Sequence, residues 1–192
     1  EPHVTWPFAD LWDRALTYEQ FVKESKEHCA LWTGVHRTAR IPDWAIGRLA
    51  ELGERFRVVV LAEDWCGDAT NTVPVLAKWA ELTPGVELRI LRRDEHPEVM
   101  NRYLTGGTRS IPVAIVLTEA MDEIGWWGPR PAELQELVEE QRRAGRTKLD
   151  FYPEVRRWYA NDRGETTLRE LFEVMSARGP KGPRMATSCE AP

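Results

Sequence analysis

The stretch AEDWCGDATNTVP, residues 62–74, sets one sulfur among three carboxylates. Cys66 follows a β-branched apolar run, RVVVLAE (57–63), and opens a helix-like stretch, CGDATNTVPVLAKWAEL. That order puts the thiol at a helix N-terminus, where unpaired backbone N–H groups and the positive end of the dipole favour thiolate. Thiolate is the nucleophile of thiol–disulfide exchange, so this is the chemistry the segment points to. Ala69 stands where a Cys-x-x-Cys pair would carry its second sulfur. An intramolecular disulfide across that spacing is therefore ruled out.

Asp68 pulls the other way. A carboxylate in the first turn stabilises a helix, yet at about 6–7 Å and an effective dielectric of ~20–40 it repels a thiolate by roughly 1–3 kcal/mol. The helix end returns about 0.3–2 kcal/mol, and Glu63 and Asp64 add to the repulsion. A strongly acidic Cys66 does not follow. As a metal set, Glu63, Asp64, Cys66 and Asp68 lack a nearby His, and adjacent acids more often solvate a turn, so neither metal nor cofactor is expected. His28 beside Cys29 reads as a helix-face pair.

The elements that must position the thiol follow from pattern. TYEQFVKESKEHCALWT (17–33) has helical spacing at Phe21, Val22, Cys29 and Trp32, with a Thr17–Gln20 capping box. IPDWAIGRLAELGERF reads as a second helix, starting near Pro42 or Asp43 and ending near Gly53. Strands are expected at 57–63, 86–92, 112–118 and 123–127, the last two as an antiparallel hairpin, with short helix HPEVMNRYL between. PAELQELVEEQRRA (131–144) is a helix, and FYPEVRRWYA and TTLRELFEVM supply terminal helices. The order β-α-β-α-β-β-α defines a small α/β domain with a mixed sheet. Residues 1–56 read as an N-terminal helical extension, 57–145 as the core, 146–178 as a C-terminal helical extension and 179–192 as a disordered tail.

Composition narrows the class. The 192 residues carry 26 Lys+Arg against 31 Asp+Glu, a net charge of −5 that argues against a nucleic-acid or anionic-membrane footprint. No apolar run approaches the ~20 residues of a membrane helix. Three cysteines (Cys29, Cys66 and Cys189) make a poor disulfide framework and fit a reducing, cytoplasmic setting. The nine tryptophans are scattered, as core and helix-packing residues are.

Three spaced features resemble the thioredoxin-like superfamily: DWCGD at the end of the first strand, Pro74 eight residues after Cys66, and RSIPVAIVL (109–117). EDWCGD, GPRP (128–131) and RRWYANDRG together resemble a little-described bacterial branch. The resemblance implies a thioredoxin-like α/β fold over residues 57–144, with a mixed four-stranded sheet flanked by helices. It also implies that Cys66 is the nucleophile, that Trp65 and Gly67 contact the substrate, and that Ile111 and Pro112 form the substrate-positioning loop. Spacing alone reads Pro112 as a trans-proline opening a strand, whereas the resemblance makes it cis. Val60 replaces the buried aspartate that helps deprotonate a resolving thiol, consistent with Ala69. A peroxiredoxin is disfavoured by the missing Pro and Thr before Cys66. A monothiol glutaredoxin is disfavoured by the absent Lys before the cysteine and by Gly106-Gly107 preceding Pro112. The expected activity is exchange with a protein or low-molecular-weight thiol or disulfide, resolved by an external thiol. The alternative is a redox-inactive peptide-binding or assembly module.

Overall fold

The computed structural model describes residues 6–177. Cys189 and the tail expected to be disordered lie outside them. Four strands form one sheet in the order β2-β1-β3-β4, with β1 at Phe56–Ala62, β2 at Val86–Arg92, β3 at Val113–Thr118 and β4 at Glu123–Trp127. β1 pairs parallel with β2 and antiparallel with β3, and β3 pairs antiparallel with β4. The β-branched run Val58–Val60 fills the central strand and is wholly buried, as a strand covered on both faces requires. The free edge of β2 is partly closed by Leu16, which exchanges two backbone hydrogen bonds of 2.8 Å with Ile90.

Helices α1 (Phe8–Arg14), α2 (Tyr18–Glu24), α3 (Cys29–Thr38) and α4 (Asp43–Leu52) precede the sheet. The Thr17–Gln20 capping box is present, and Gly53 ends α4 in the left-handed region at φ 63°. The single helix expected over 17–33 is instead two, α2 and α3. The break has a cause: the N–H groups of Lys26 and Glu27 leave the helical pattern to bind the Asp64 carboxylate, at 2.7 and 3.2 Å. His28 then turns the chain at φ 53°. A consequence is that Cys29, expected within a helix spanning 17–33, opens α3 and is exposed, while Trp32 takes the buried position.

After β1 comes α5 (Gly67–Leu82), the long helix that starts at the thiol and carries Pro74 in its interior. A 3-10 turn (Arg93–Glu95) and α6 (Pro97–Met100) link β2 to the loop before β3. The terminal helices are α7 (Ala132–Arg143), α8 (Lys148–Asp162) and α9 (Glu165–Ala177). Phe172 of α9 sits 5.7 Å from both Trp44 and Trp79, tying the end of the described chain to α4 and α5 in the main core. Leu134, Val138, Phe151, Val155 and Tyr159 form a second, smaller cluster between α7 and α8. Helical segments thus flank the sheet domain on both sides in sequence. Among the described residues, no helix is long and apolar enough to cross a membrane.

Candidate functional site

Cys66 is the N-cap of α5, with extended backbone that leaves its side chain over the first turn. Its sulfur accepts the Ala69 N–H at 3.5 Å, and its thiol donates to the Ile111 carbonyl at 3.5 Å. The Ile111–Pro112 bond is cis. The residue expected as nucleophile and the two expected in the facing loop therefore meet. Trp65 stands beside them, 46% exposed, with the Arg93 guanidinium 4.8 Å from its ring centroid. Ala69 is fully buried, and its N–H faces the sulfur.

Cys66 as a whole is only 8% exposed. Burial pushes its pKa up, and the Asp68 carboxylate pushes it further. The N–H groups of Ala69 and Asp68 and the ammonium of Lys148 act in the opposite direction without prevailing. The contest between helix terminus and local burial and charge is thus decided for the protonated thiol.

The three acids of the segment each have a place in the fold. Glu63 is buried and accepts the Asp94 N–H at 2.9 Å, fixing the turn after β2, and burial raises its pKa. Burial acts to raise the Asp64 carboxyl as well, but the Lys26 and Glu27 N–H groups outweigh it and hold that carboxyl below its ordinary range. The backbone carbonyl of Asp64 also receives the Trp32 indole N–H at 3.0 Å. Asp68 is 3% exposed. Arg130 grips it with two bonds, Nε to Oδ1 at 2.9 Å and Nη2 to Oδ2 at 2.7 Å, and the Tyr159 hydroxyl donates to Oδ1 at 2.9 Å. A buried carboxylate needs such partners, and a bidentate guanidinium is the strongest available.

Arg130, Tyr159, Tyr152 and Lys148 complete the site, and sequence reasoning gave none of them a role. Tyr152 rests on Gly67 so closely that a Cβ there would lie 1.9 Å from its hydroxyl. Its hydroxyl pKa is raised by burial and by the neighbouring Asp68 and Cys66. A signal did exist, since Tyr152 and Tyr159 are seven residues apart and so share one face of a helix. GPRP and RRWYANDRG, which carried the finer resemblance, also acquire physical meaning. A Cβ on Gly128 (φ 130°) would lie 2.2 Å from the Pro112 carbonyl oxygen, and one on Gly164 (φ 82°) would lie 2.5 Å from Val75 of α5. GPRP closes against the proline loop, and RRWYANDRG against the thiol helix. Among the described residues, no group of three or more His, Cys, Asp or Glu side chains is placed to hold a metal ion.

The fold and this placement of a cysteine against a proline loop define a thioredoxin-like protein. The family model for thioredoxin matches residues 15–143, and the chain belongs to that family. Among solved structures, it is similar to the protein of unknown function PA1234 from Pseudomonas aeruginosa, with 21% identity and a TM-score of 0.68 over 88% of this chain and 97% of that one. It is also similar to an HIV epitope-scaffold, with 20% identity and a TM-score of 0.67 over 88% of this chain and 98% of that one. These likenesses concern the fold alone. No curated protein matches the chain.

Proposed function

We propose that the protein carries out monothiol thiol–disulfide exchange through Cys66. The Cys66 thiolate attacks one sulfur of a partner disulfide. A new S–S bond forms to Cys66, the partner's bond breaks, and the departing sulfur leaves with the electron pair and takes up a proton. With alanine at position 69, a second exchange with an external thiol releases Cys66 and reduces it again. The observation that supports this reading is the sulfur's position, 3.5 Å from both the Ala69 N–H nitrogen and the Ile111 carbonyl oxygen beside Pro112. There an extended partner lying along the Ile111–Pro112 loop would present its sulfur to Cys66, with Trp65 and Gly67 at its side. A reducing, cytoplasmic compartment suits a protein working with one catalytic thiol and an exposed Cys29.

One observation favours a second reading, a thioredoxin fold used as a peptide-binding module. Burial and Asp68 both keep the thiol protonated, which leaves little nucleophile at neutral pH. The two readings separate in cells. After mild oxidation and rapid alkylation, the exchange reading yields proteins disulfide-linked to a chain carrying Cys29→Ser, and those links vanish when Cys66→Ser is added. Partners that co-purify without a disulfide, and persist with Cys66→Ser, establish the binding module instead.

A further inference from the structure

We infer that the Lys148–Tyr152–Arg156 face of α8 is a recognition subsite for a carboxylate carried close to the sulfur of the disulfide that Cys66 attacks. This rests on the exchange reading and names the substrate class for it. Residues 148, 152 and 156 recur at i, i+4 and i+8, and Tyr159 continues the same face at i+11, so the four form one stripe along the helix. Two anchors show where the stripe points. The Tyr152 hydroxyl rests on Gly67, the residue after the nucleophile, and the Tyr159 hydroxyl bonds to Asp68.

The stripe is cationic and lacks a counter-ion. The Lys148 ammonium lies 5.0 Å and the Arg156 guanidinium carbon 5.3 Å from the Tyr152 ring centroid, and both side chains are exposed. Neither has a carboxylate within ion-pairing distance among the described residues. The acids of this part of α8 face elsewhere: Asp150 binds the Thr147 backbone N–H and hydroxyl at 2.8 and 2.7 Å, and Glu154 pairs with Arg146 at 3.0 Å. Both stand two positions from Tyr152, on the opposite side of the helix.

The acids of the thiol segment are likewise spent, Glu63 on Asp94, Asp64 on Lys26 and Glu27, and Asp68 on Arg130 and Tyr159. Arg93, beside Trp65, is paired with Asp94 at 2.9 Å. In a chain of net charge −5, Lys148 and Arg156 are therefore cations beside the thiol with no carboxylate partner among the described residues. The Tyr152 hydroxyl oxygen is buried with no hydrogen-bond partner among the described residues. That hydroxyl is covered by Gly67, so the groups open to a bound carboxylate are the exposed Lys148 and Arg156 heads, for which it would supply the counter-ion they lack. A free thiol or disulfide without an anionic group leaves both cations unused.

The test uses a Cys29→Ser, Cys189→Ser chain and three symmetrical disulfides: dithiobis(nitrobenzoate), which has a carboxylate on each half, neutral 4,4′-dithiodipyridine, and cationic cystamine. Each rate on the native protein is divided by its rate on the denatured chain, which cancels intrinsic probe reactivity. In each reaction a bond forms between Cys66 and one half of the probe, and the other half departs as thiolate. The carboxylate probe should exceed the cationic one by about tenfold at low salt, with the ratio shrinking as screening grows. The double substitution Lys148→Glu, Arg156→Glu should invert that order, and Lys148→Gln, Arg156→Gln should abolish it. A second arm offers cysteinyl peptides as pyridyl disulfides, flanked by Glu or by Lys. A charge preference here too assigns a protein partner, and one confined to the small probes assigns a low-molecular-weight partner. Equal normalised rates for all three disulfides, or an order unmoved by charge reversal, overturn the subsite and leave the exchange reading intact. Absence of reaction with every probe overturns both.

Discussion

Arg130 and Asp68, 62 residues apart in sequence, meet through two parallel N–H···O bonds of 2.9 and 2.7 Å beside the thiol. This pair joins the β4–α7 connection to the first turn of α5, and Tyr159 brings α8 to the same carboxylate. Removing one member of a buried pair strands the other charge. Arg130→Gln should therefore lower stability by about 3–5 kcal/mol in urea unfolding. It should also raise the pH at which Cys66 alkylates, because the cation that offsets Asp68 is gone. Asp68→Asn should move that midpoint down, and Asp68→Asn with Arg130→Gln should recover much of the lost stability. Independent, additive effects of the two substitutions would mean that the pair is not coupled.

Two glycines make close approaches of different kinds. Gly128 faces the Pro112 backbone, which cannot move aside, at a φ of 130° that side chains avoid. Gly128→Ala should cost about 3 kcal/mol or more and disturb the loop that faces Cys66. Gly67 faces the end of the Tyr152 side chain, which can swing away. Gly67→Ala should cost only about 1–3 kcal/mol, and Tyr152→Ala should relieve much of it. A cycle of four unfolding curves measures that coupling, and strict additivity would show that the Tyr152 contact is not tight.

The buried thiol also leaves a mark on stability against pH. Its folded pKa lies above its unfolded value of about 8.5, so its contribution is complete below that value and is lost as pH rises through the folded one. Above about pH 8, the wild type should lose stability faster with rising pH than Cys66→Ser does. Parallel curves for the two proteins would show that Cys66 is not held protonated by the fold.

Restoring a second sulfur tests the monothiol argument. The Ala69 nitrogen is 3.5 Å from the Cys66 sulfur, so Ala69→Cys should allow a 66–69 disulfide, seen as a loss of two free thiols on oxidation. The parent protein should reduce insulin slowly or not at all with a dithiol reductase regenerating it. Vigorous turnover by the Cys29→Ser, Cys189→Ser chain would show that one sulfur suffices.

Much of this arrangement was legible in the sequence because it rests on local signals. The apolar run before Cys66, the helix after it and the hairpin starting near Pro112 each carry their own periodicity, and the four strands fall within one residue of expectation. Pairings between distant residues were not legible. Asp68 reads as a first-turn helix acid, and nothing in its neighbours foretells a partner 62 residues away. The break between α2 and α3 was hidden for the same reason, since the Asp64 carboxylate that holds it open comes from 38 residues downstream. Long-range ionic partners are chosen by the packed fold, and helical spacing is silent about them.

The most direct test of the exchange function is an intact-mass measurement on the native Cys29→Ser, Cys189→Ser chain. It is incubated at pH 8 with neutral hydroxyethyl disulfide, quenched with acid, and then treated with a reducing thiol. One added mercaptoethanol group is expected, mapped to Cys66, forming faster with Asp68→Asn and removed by the thiol with recovery of the starting mass. A native chain that stays unmodified, with or without Asp68→Asn, while the denatured chain is fully modified, would contradict it.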